Sequence, residues 1–223
     1  MKTVPSACTD RQGLLHQILF AMIKCEATVC GTISRSAAMR STKEGQPFMS
    51  FSMNVRVQEK GETQNIELRV TRDGQFEPFL ADFAEGRRVK ATGQLVFYKK
   101  NETLVFSLRA TEVDMQADDE DYIDGTIDFR GAVGKSIDEK KDRKGNPYFV
   151  FSAFSTEKRG EDFSFTWIKF IHFNKAKEDW MQPGVGINAQ GRLEVSAYNG
   201  KPNVSCHLEN LSFWDRHSNH YNR

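Results

Sequence analysis

The feature that most constrains this chain is an internal repeat: a module of roughly 90 residues occurs twice, over 27–112 and 125–214. The copies align first at an offset of 100 and, farther along, at an offset of 98. The repeat predicts two copies of one fold in a single chain. The matching positions are Gly31/Gly131, Gly45/Gly145, Pro47/Pro147, Phe48/Tyr148, Phe51/Phe151, Ser52/Ser152, Gly86/Gly184, Val89/Ile187, Ala91/Ala189, Gly93/Gly191 and Leu95/Leu193.

The repeat also sets the expected domain boundaries. They are a helical extension over 1–26, a first domain over 27–113, an acidic linker over 114–124, a second domain over 125–215 and a tail over 216–223.

The extension carries a helix signal over 9–24. Thr9 followed by Gln12 is a capping-box pattern, and Leu15, Ile18, Leu19 and Met22 then fall on one helical face. That face either packs on the first domain or binds a partner or a second copy.

The charge of the chain is nearly balanced, with a net value of +1 over 223 residues. This is weak evidence against nucleic-acid binding, because proteins that neutralise phosphates are usually basic. However, five acids are concentrated around the linker, so the rest of the chain is more basic. The run either keeps the linker solvated and extended or competes with DNA for the basic surface. The five acids are Asp114, Asp118, Asp119, Glu120 and Asp121.

Several function classes lack their sequence signals. No apolar run reaches the length of about 18 residues that a membrane span needs. The four cysteines, Cys8, Cys25, Cys30 and Cys206, form no CxxC pair, so we expect reduced thiols in a cytoplasmic, nucleoid-associated protein and no structural zinc. No P-loop, nucleophile elbow or zinc-protease motif is found, so we expect no enzyme, metal or cofactor.

Both copies show the alternation of strands. About five strands in under 95 residues, with a short segment (76–83 or 174–181) that could hold a helical turn, is typical of an OB-fold barrel. A small antiparallel sandwich has the same pattern, and alternation alone leaves both open. The alternating segments are 48–55, 65–70, 89–95 and 104–108, and then 148–154, 163–173, 187–195 and 204–211.

The second copy resembles bacterial single-stranded-DNA-binding proteins. In its third-strand segment, Trp167 and Phe173 stand where that family has the aromatic residues that open and close the strand. The chain continues as Asn174-Lys175-Ala176-Lys177-Glu178, and farther on Gly191-Arg192-Leu193 leads to Tyr198. The resemblance implies an all-β protein of two tandem five-stranded OB-fold barrels with a short N-terminal helix. By motif position, the base-stacking candidates are Trp167, Phe173 and Tyr198.

Departures from that family bear on partners. Lys158-Arg159 stands where an aromatic is common, and the family's acidic, hydrophobic C-terminal tip is absent, which puts tail-mediated recruitment of replication or recombination proteins in doubt. The family assembles four OB-folds, so a two-barrel chain would reach four as a homodimer.

The residues themselves also indicate nucleic-acid chemistry. Phe163, Phe165, Trp167 and Lys169 share one face of the predicted strand, while Ser164, Thr166, Ile168 and Phe170 share the other. Flat rings can stack on bases and cations can contact phosphates. The alternatives are a core or interface role for Trp167, a core role for Phe173, and an ordinary turn tyrosine at Tyr198 beside the Asn199-Gly200 turn.

Cations near this face are candidates for phosphate contact. Lys135 to Lys144 is expected to be the loop between the first two strands. The full set is Arg130, Lys135, Lys140, Lys141, Arg143, Lys144, Lys169 and Arg192.

The first copy is poorer in aromatics. The segment 66–70 has an aliphatic or polar residue at the position of Trp167, and Phe51 is expected in the core. Tyr98, followed by Lys99 and Lys100, is its best stacking candidate. This copy is expected to bind weakly, bind by charge or serve assembly.

The sequence therefore predicts binding of single-stranded DNA without sequence preference, protecting strands exposed in replication, recombination or repair. Two alternatives are an OB-fold assembly module of a DNA-processing complex and RNA binding, because stacking does not distinguish the sugars.

Overall fold

The computed structural model describes residues 23–59, 62–100, 103–159 and 162–215. Within these ranges the chain is almost wholly β, with one 3₁₀ helix at Glu77–Phe83. The strands are β1 (Ile23–Ser41), β2 (Pro47–Glu59), β3 (Glu62–Asp73), β4 (Arg88–Lys100), β5 (Thr103–Asp114), β6 (Tyr122–Lys141), β7 (Pro147–Arg159), β8 (Asp162–Phe173), β9 (Gly186–Tyr198) and β10 (Lys201–Phe213).

The strands follow the repeat. β2 and β3 recur as β7 and β8 at an offset of 100, and β4 recurs as β9 at an offset of 98. Every predicted strand segment lies inside an observed strand. The copies differ between their third and fourth strands, where the first has the 3₁₀ helix and 174–181 has turns and irregular structure.

Each repeat closes on itself through hydrogen bonds. In the first repeat the pairings run β1–β2–β3–β5–β4 and back to β1, and in the second they run β6–β7–β8–β10–β9 and back to β6. The β3–β5 and β8–β10 pairings are parallel and the others antiparallel.

The interior of each ring holds the apolar residues of the alternating pattern. In the second repeat the ring centroid of Phe170 lies 5.0 Å from that of Phe129 and 5.2 Å from that of Phe151. All three side chains are buried, as is Phe51 in the first repeat, which confirms its predicted core position. Burying one such ring stabilises the fold by about 1.5–3 kcal/mol.

Strands β1 and β6 are long because each pairs with two strands of its own ring. β1 pairs with β4 as far as Thr32 and with β2 from Thr32 onward. At this exchange a Cβ on Gly31 would lie 2.4 Å from the carbonyl oxygen of Asn54, and one on Gly131 would lie 2.3 Å from that of Phe154. The close approach explains why both copies have glycine here.

The two rings are joined by pairing between β1 and β6, which makes one ten-stranded sheet. Glu26 pairs with Thr126, and these are equivalent positions at the offset of 100. The junction is therefore pseudo-two-fold symmetric. Gly125 permits the approach, because a Cβ there would lie 2.2 Å from the carbonyl oxygen of Glu26.

The prediction of a solvated acidic segment agrees with the exposure of Asp118, Asp119 and Glu120 but is wrong for Asp121. Between β5 and β6 the side chain of Asp121 is only 4% exposed, and it pairs with Arg56 at 3.0 Å and with Arg88 at 2.6 Å. The guanidinium of Arg88 also donates to the backbone oxygens of Asp118 and Glu120 at 2.7 and 3.0 Å. The acidic segment is thus bound to the first repeat, because its acids and carbonyls meet two arginines there.

The helix predicted over 9–24 lies mostly outside the described residues. Its last two residues, Ile23 and Lys24, are in β1, so that end of the prediction is wrong. Pairing with β6 begins at Ile23 and continues the strand beyond the repeat boundary.

Cys25, Cys30 and Cys206 are buried free thiols. None of the helices in the described ranges is long and apolar enough to cross a membrane.

Candidate nucleic-acid interface

The outer face of β8 exposes large aromatic rings. Phe165, Trp167 and Phe173 are 50%, 52% and 47% exposed, and Lys169 lies on the same face. On the other face of β8, the side chains of Thr166, Ile168 and Phe170 are buried. This confirms the predicted division of the strand into two faces, except at Phe163, whose side chain lies outside what is described. Exposed apolar side chains indicate an interaction site when they are grouped rather than scattered singly.

A first aromatic cluster forms where β7 pairs with β8. The ring of Phe154 lies 4.9 Å from that of Trp167 and 5.8 Å from that of Phe165. Trp167 also passes over Gly134 of β6, where a Cβ would lie 3.1 Å from its Cζ3 atom and 2.7 Å from the carbonyl oxygen of Ser152. A larger residue at 134 would displace the indole, so Gly134 helps to set its position.

A second aromatic cluster lies farther along β8. Phe173 has ring contacts of 5.5 Å with both Tyr148 of β7 and His207 of β10. Trp167 and Phe173 are six residues apart, which in a strand is about 20 Å. The hairpin thus presents two patches of rings along one line.

Lys169 separates the clusters and supplies a cation between them. It pairs across the sheet with Ser152 and Ser205. Nearby, Glu194 accepts hydrogen bonds from Ser205 at 2.8 Å and contacts Nε2 of His207 at 3.0 Å. Partial burial opposes ionisation of Glu194, but these contacts outweigh it and hold the pKa of this carboxyl below its ordinary value.

The predicted basic loop is mostly strand. Lys135, Lys140 and Lys141 lie in β6, and the turn itself spans 142–146. Asp142 accepts backbone hydrogen bonds from Lys144 and Asn146, both at 2.8 Å. Hydrogen bonds from Asn146 are the main reason that the pKa of Asp142 lies below its ordinary value. The strand is longer than predicted because pairing with β7 continues to the turn.

The structure brings some of the predicted cations to the aromatic face. Lys140 pairs with Tyr148 across the β6–β7 ladder, so both side chains point to one side. Arg192 of β9 pairs with His207 and makes an exposed ion pair of 3.3 Å with Asp124.

The other predicted cations are also exposed. Arg143 and Lys144 are at the turn tip, Lys135 follows Gly134, and Arg130 lies on β6 opposite Asn188 of β9.

The remaining candidates are at hairpin ends. Tyr198 ends β9, and the next two residues, Asn199 and Gly200, have φ values of 51° and 70°, which fits the predicted tight turn. Its stacking role stays a prediction. In the first repeat Tyr98 is half-buried, Lys99 is exposed and Lys100 ends β4.

The matching face of the first repeat is charged. Glu67 and Asp73 stand at the positions of Trp167 and Phe173, and they pair with Arg35 at 3.5 Å and Arg109 at 2.5 Å. The absence of an aromatic at the Trp167 position is confirmed, so the two repeats present different chemistry at one location.

Sequence reasoning missed Phe154, Tyr148 and His207 as members of the site. Alternation in β7 gave part of the signal, because it puts Tyr148 and Phe154 on one side of the strand. Their partners in β8, Phe173 and Trp167, depend on the register. His207 could not be found in this way, because its contact with Phe173 depends on a parallel pairing between distant segments.

Comparison with protein-family models and with curated proteins gives no match. Among solved structures, the chain is similar to the wild-type single-stranded DNA binding protein from Thermus aquaticus, with 16% identity, a TM-score of 0.48, and coverage of 88% of this chain and 95% of that one. It is also similar to an SSB from Plasmodium falciparum in complex with ssDNA, with 19% identity, a TM-score of 0.33, and coverage of 40% and 94%. A third is the mitochondrial single-stranded DNA binding protein Rim1 from S. cerevisiae, with 14% identity, a TM-score of 0.32, and coverage of 40% and 92%. These structural neighbours are single-stranded-DNA-binding proteins, the class that the second repeat resembles.

Proposed function

We propose that this protein binds single-stranded DNA without sequence preference, by stacking bases on the aromatic face of the second repeat. The observation that carries the proposal is the pair of exposed ring clusters on β7 and β8, with Lys169 between them. Every base has a flat π-face, so stacking of about 1–3 kcal/mol per base is insensitive to sequence. Trp167 and Phe173 are the main stacking residues, and Lys140, Lys169 and Arg192 contact phosphates.

The pairing order supports the assignment of each repeat as an OB-fold barrel. A closed ring in the order first, second, third, fifth and fourth strand, with the first strand shared between two neighbours, is the arrangement of a five-stranded Greek-key barrel. The bound face then lies on the second and third strands, which is the binding face of that fold.

The test is tryptophan fluorescence during titration with an oligothymidine of about 35 nucleotides. Two salt concentrations, about 50 and 200 mM, separate stacking from phosphate contacts. We expect quenching that saturates, with an affinity that falls steeply at the higher salt because counterions are released on binding.

Two other tryptophans require a control for the origin of the signal. Trp167→Phe keeps a stacking face and removes the indole, so we expect most of the quenching to disappear while binding measured by anisotropy persists. Trp180→Phe, at the far end of β10 beside Phe213, is the matched variant and retains the quenching. A wild-type protein that shows neither quenching nor a change in anisotropy would refute the proposal.

The biological setting follows from that activity. The protein would cover strands exposed in replication, recombination or repair, in the cytoplasm at the nucleoid, with no catalytic reaction of its own. A homodimer would bring together four OB-folds, as the resemblance implies. Light scattering of the purified chain tests this, and a monomeric mass would contradict the dimer without affecting DNA binding.

An assembly module is the second candidate, and the charged face of the first repeat favours it. Glu67 and Asp73, each ion-paired with an arginine, stand where the second repeat has rings. Gel filtration with and without oligonucleotide distinguishes the two, because an assembly module would not change its elution with DNA. Parallel titrations with oligothymidine and oligouridine test RNA binding, since preference for RNA requires contacts to the 2′-hydroxyl.

A further inference from the structure

The first repeat has an open cavity of about 600 Å³ beside the junction of the two repeats. This volume lies within the range of pockets that hold small ligands, about 300–1,000 Å³. Its lining combines two arginines, one aromatic ring, an amide and two carboxylates. They are Arg72, Arg109, Phe76, Gln94, Glu26 and Asp73.

The guanidinium of Arg72 lies over the ring of Phe76, and this pair is called the Arg72–Phe76 platform below. The guanidinium carbon of Arg72 lies 4.9 Å from the centroid of Phe76, and Phe76 packs against the core behind it. Arginine planes, like aromatic rings, stack on nucleic-acid bases. Phe76 follows the lost aromatic position, Asp73, by three residues, and Ala176 is its counterpart in the second repeat.

Arg109 supplies a cation next to this platform. Arg109 is ion-paired with Asp73, but the two side chains are 61% and 63% exposed. An ion pair this exposed contributes only about 0–1 kcal/mol, so a phosphate can replace Asp73 at little cost.

The cavity occupies the place on the first repeat that the second aromatic cluster occupies on the other. Arg109 is the counterpart of His207, and Gln94 is the counterpart of Arg192. A single cross-strand row joins the two places, because each member pairs with the next. The row runs His207, Arg192, Thr126, Glu26, Gln94 and Arg109, which is five strand spacings or about 24 Å.

We propose that a DNA strand bound on the second repeat continues along this row and places one nucleotide in the cavity of the first repeat. The base stacks on the Arg72–Phe76 platform and the phosphate contacts Arg109. This inference rests on the proposed function and adds a second, weaker subsite to it. Glu26 lies in the middle of the row, so the strand crosses the junction without a phosphate contact at that point.

The experiment compares two oligothymidines. The short one has about 4 nucleotides, the smallest length that a single OB-fold covers, and the long one has about 35. The test variant is Arg72→Ala with Arg109→Ala. The matched control is Lys43→Ala with Arg87→Ala, which removes the same charge from exposed positions of the first repeat outside the row. Circular dichroism and a thermal melt establish that each variant is folded.

We expect the test variant to bind the long oligonucleotide about tenfold more weakly and the short one within about twofold of wild type. The slope of log K against log salt should flatten by about one for the long oligonucleotide only, as the loss of one or two phosphate contacts predicts. Phe76→Leu removes the ring but keeps an apolar residue, and it should reproduce part of the loss on the long oligonucleotide.

Equal losses in the test and control variants, or no loss on the long oligonucleotide, would overturn the subsite while leaving the proposed function intact. If wild type binds neither oligonucleotide, the proposed function itself fails and the subsite fails with it. Binding of the short oligonucleotide by wild type therefore distinguishes the two failures.

Discussion

Trp167 is positioned by surface neighbours and contributes little to the interior. Its ring packs against Phe154 at an interplanar angle of 43° and passes over Gly134, while the two flanking inward residues, Thr166 and Ile168, are buried. A residue supported in this way can be removed without opening a cavity in the core. Binding and stability should therefore separate at this position.

Trp167→Ala should weaken binding to oligothymidine by about 1–3 kcal/mol, because one stacking face is lost. Its free energy of unfolding should change little, since the side chain is 52% exposed. Anisotropy titration and urea denaturation of the same preparation measure the two quantities.

Two variants calibrate this result. Phe213→Ala removes a ring that is 57% exposed outside the two clusters and should leave the affinity unchanged. Phe170→Ala removes a fully buried ring and should cost about 3–5 kcal/mol of stability. An affinity for Trp167→Ala equal to that of wild type would remove this residue from the site.

At the same scale, sequence reasoning placed residues on faces but could not place their neighbours. Alternation in one strand shows that Phe165, Trp167 and Lys169 share a side. It does not show that Phe154 is opposite Trp167, because that depends on the register between two strands. Asp121 was misjudged for a related reason, since its partners Arg56 and Arg88 are distant in sequence.

Among the elements, the strands were predictable because the repeat supplies each pattern twice. The offsets of 100 and 98 reappear in the strand boundaries, and the two repeats share one order of strand pairings. The connections were less predictable. The basic segment 135–144 reads as a loop because of its charge, yet pairing with β7 keeps most of it in β6.

The segment between β5 and β6 acts as a clamp through Asp121. Burial alone would raise the pKa of this carboxyl, but hydrogen bonds from Arg56 and Arg88 outweigh it and hold the pKa below the ordinary value of 3.8. Because the folded-state pKa is depressed, the stabilisation is complete above the unfolded-state value and is lost as pH falls through the folded-state value. The clamp should therefore weaken only below about pH 4.

Asp121→Asn should lower the free energy of unfolding at pH 7 by about 1.5–3 kcal/mol, the contribution of hydrogen bonds to a charged group. The difference from wild type should shrink as pH falls below about 4. Urea denaturation at pH 7 and at about pH 3 measures both effects. Asp119→Asn, in an exposed acid of the same segment, is the control, and a loss of equal size there would indicate a general charge effect.

Over the whole molecule, one sheet links two rings that have diverged on their outer faces. The equivalent positions Glu67 and Trp167 show the difference: one carries a charge in an ion pair and the other an exposed indole. The repeat predicted the shared architecture. It could not predict the junction, because strand pairing between copies leaves no signal in the alternation within a copy.

Gly125→Val should disrupt the junction. Its Cβ would lie 2.2 Å from the carbonyl oxygen of Glu26 and 2.8 Å from Cα of Ala27, so the backbones of β1 and β6 must separate. We expect a loss of about 1–3 kcal/mol and two thermal transitions where wild type shows one. Calorimetry checks this, with Thr126→Ala at the exposed neighbouring position as the control. A single transition at the wild-type temperature would show that the pairing does not couple the repeats.

Because Glu26 and Thr126 pair within one chain, the contact between the repeats does not depend on protein concentration, and each repeat can be substituted separately. In a symmetric homodimer, the equivalent contact would dissociate at low protein concentration, and every substitution would appear on both sides of the axis. Here the covalent connection makes the contact intramolecular, at an effective concentration set by a short segment. The two halves thus stay together at any cellular copy number, and each can change its surface without altering the other.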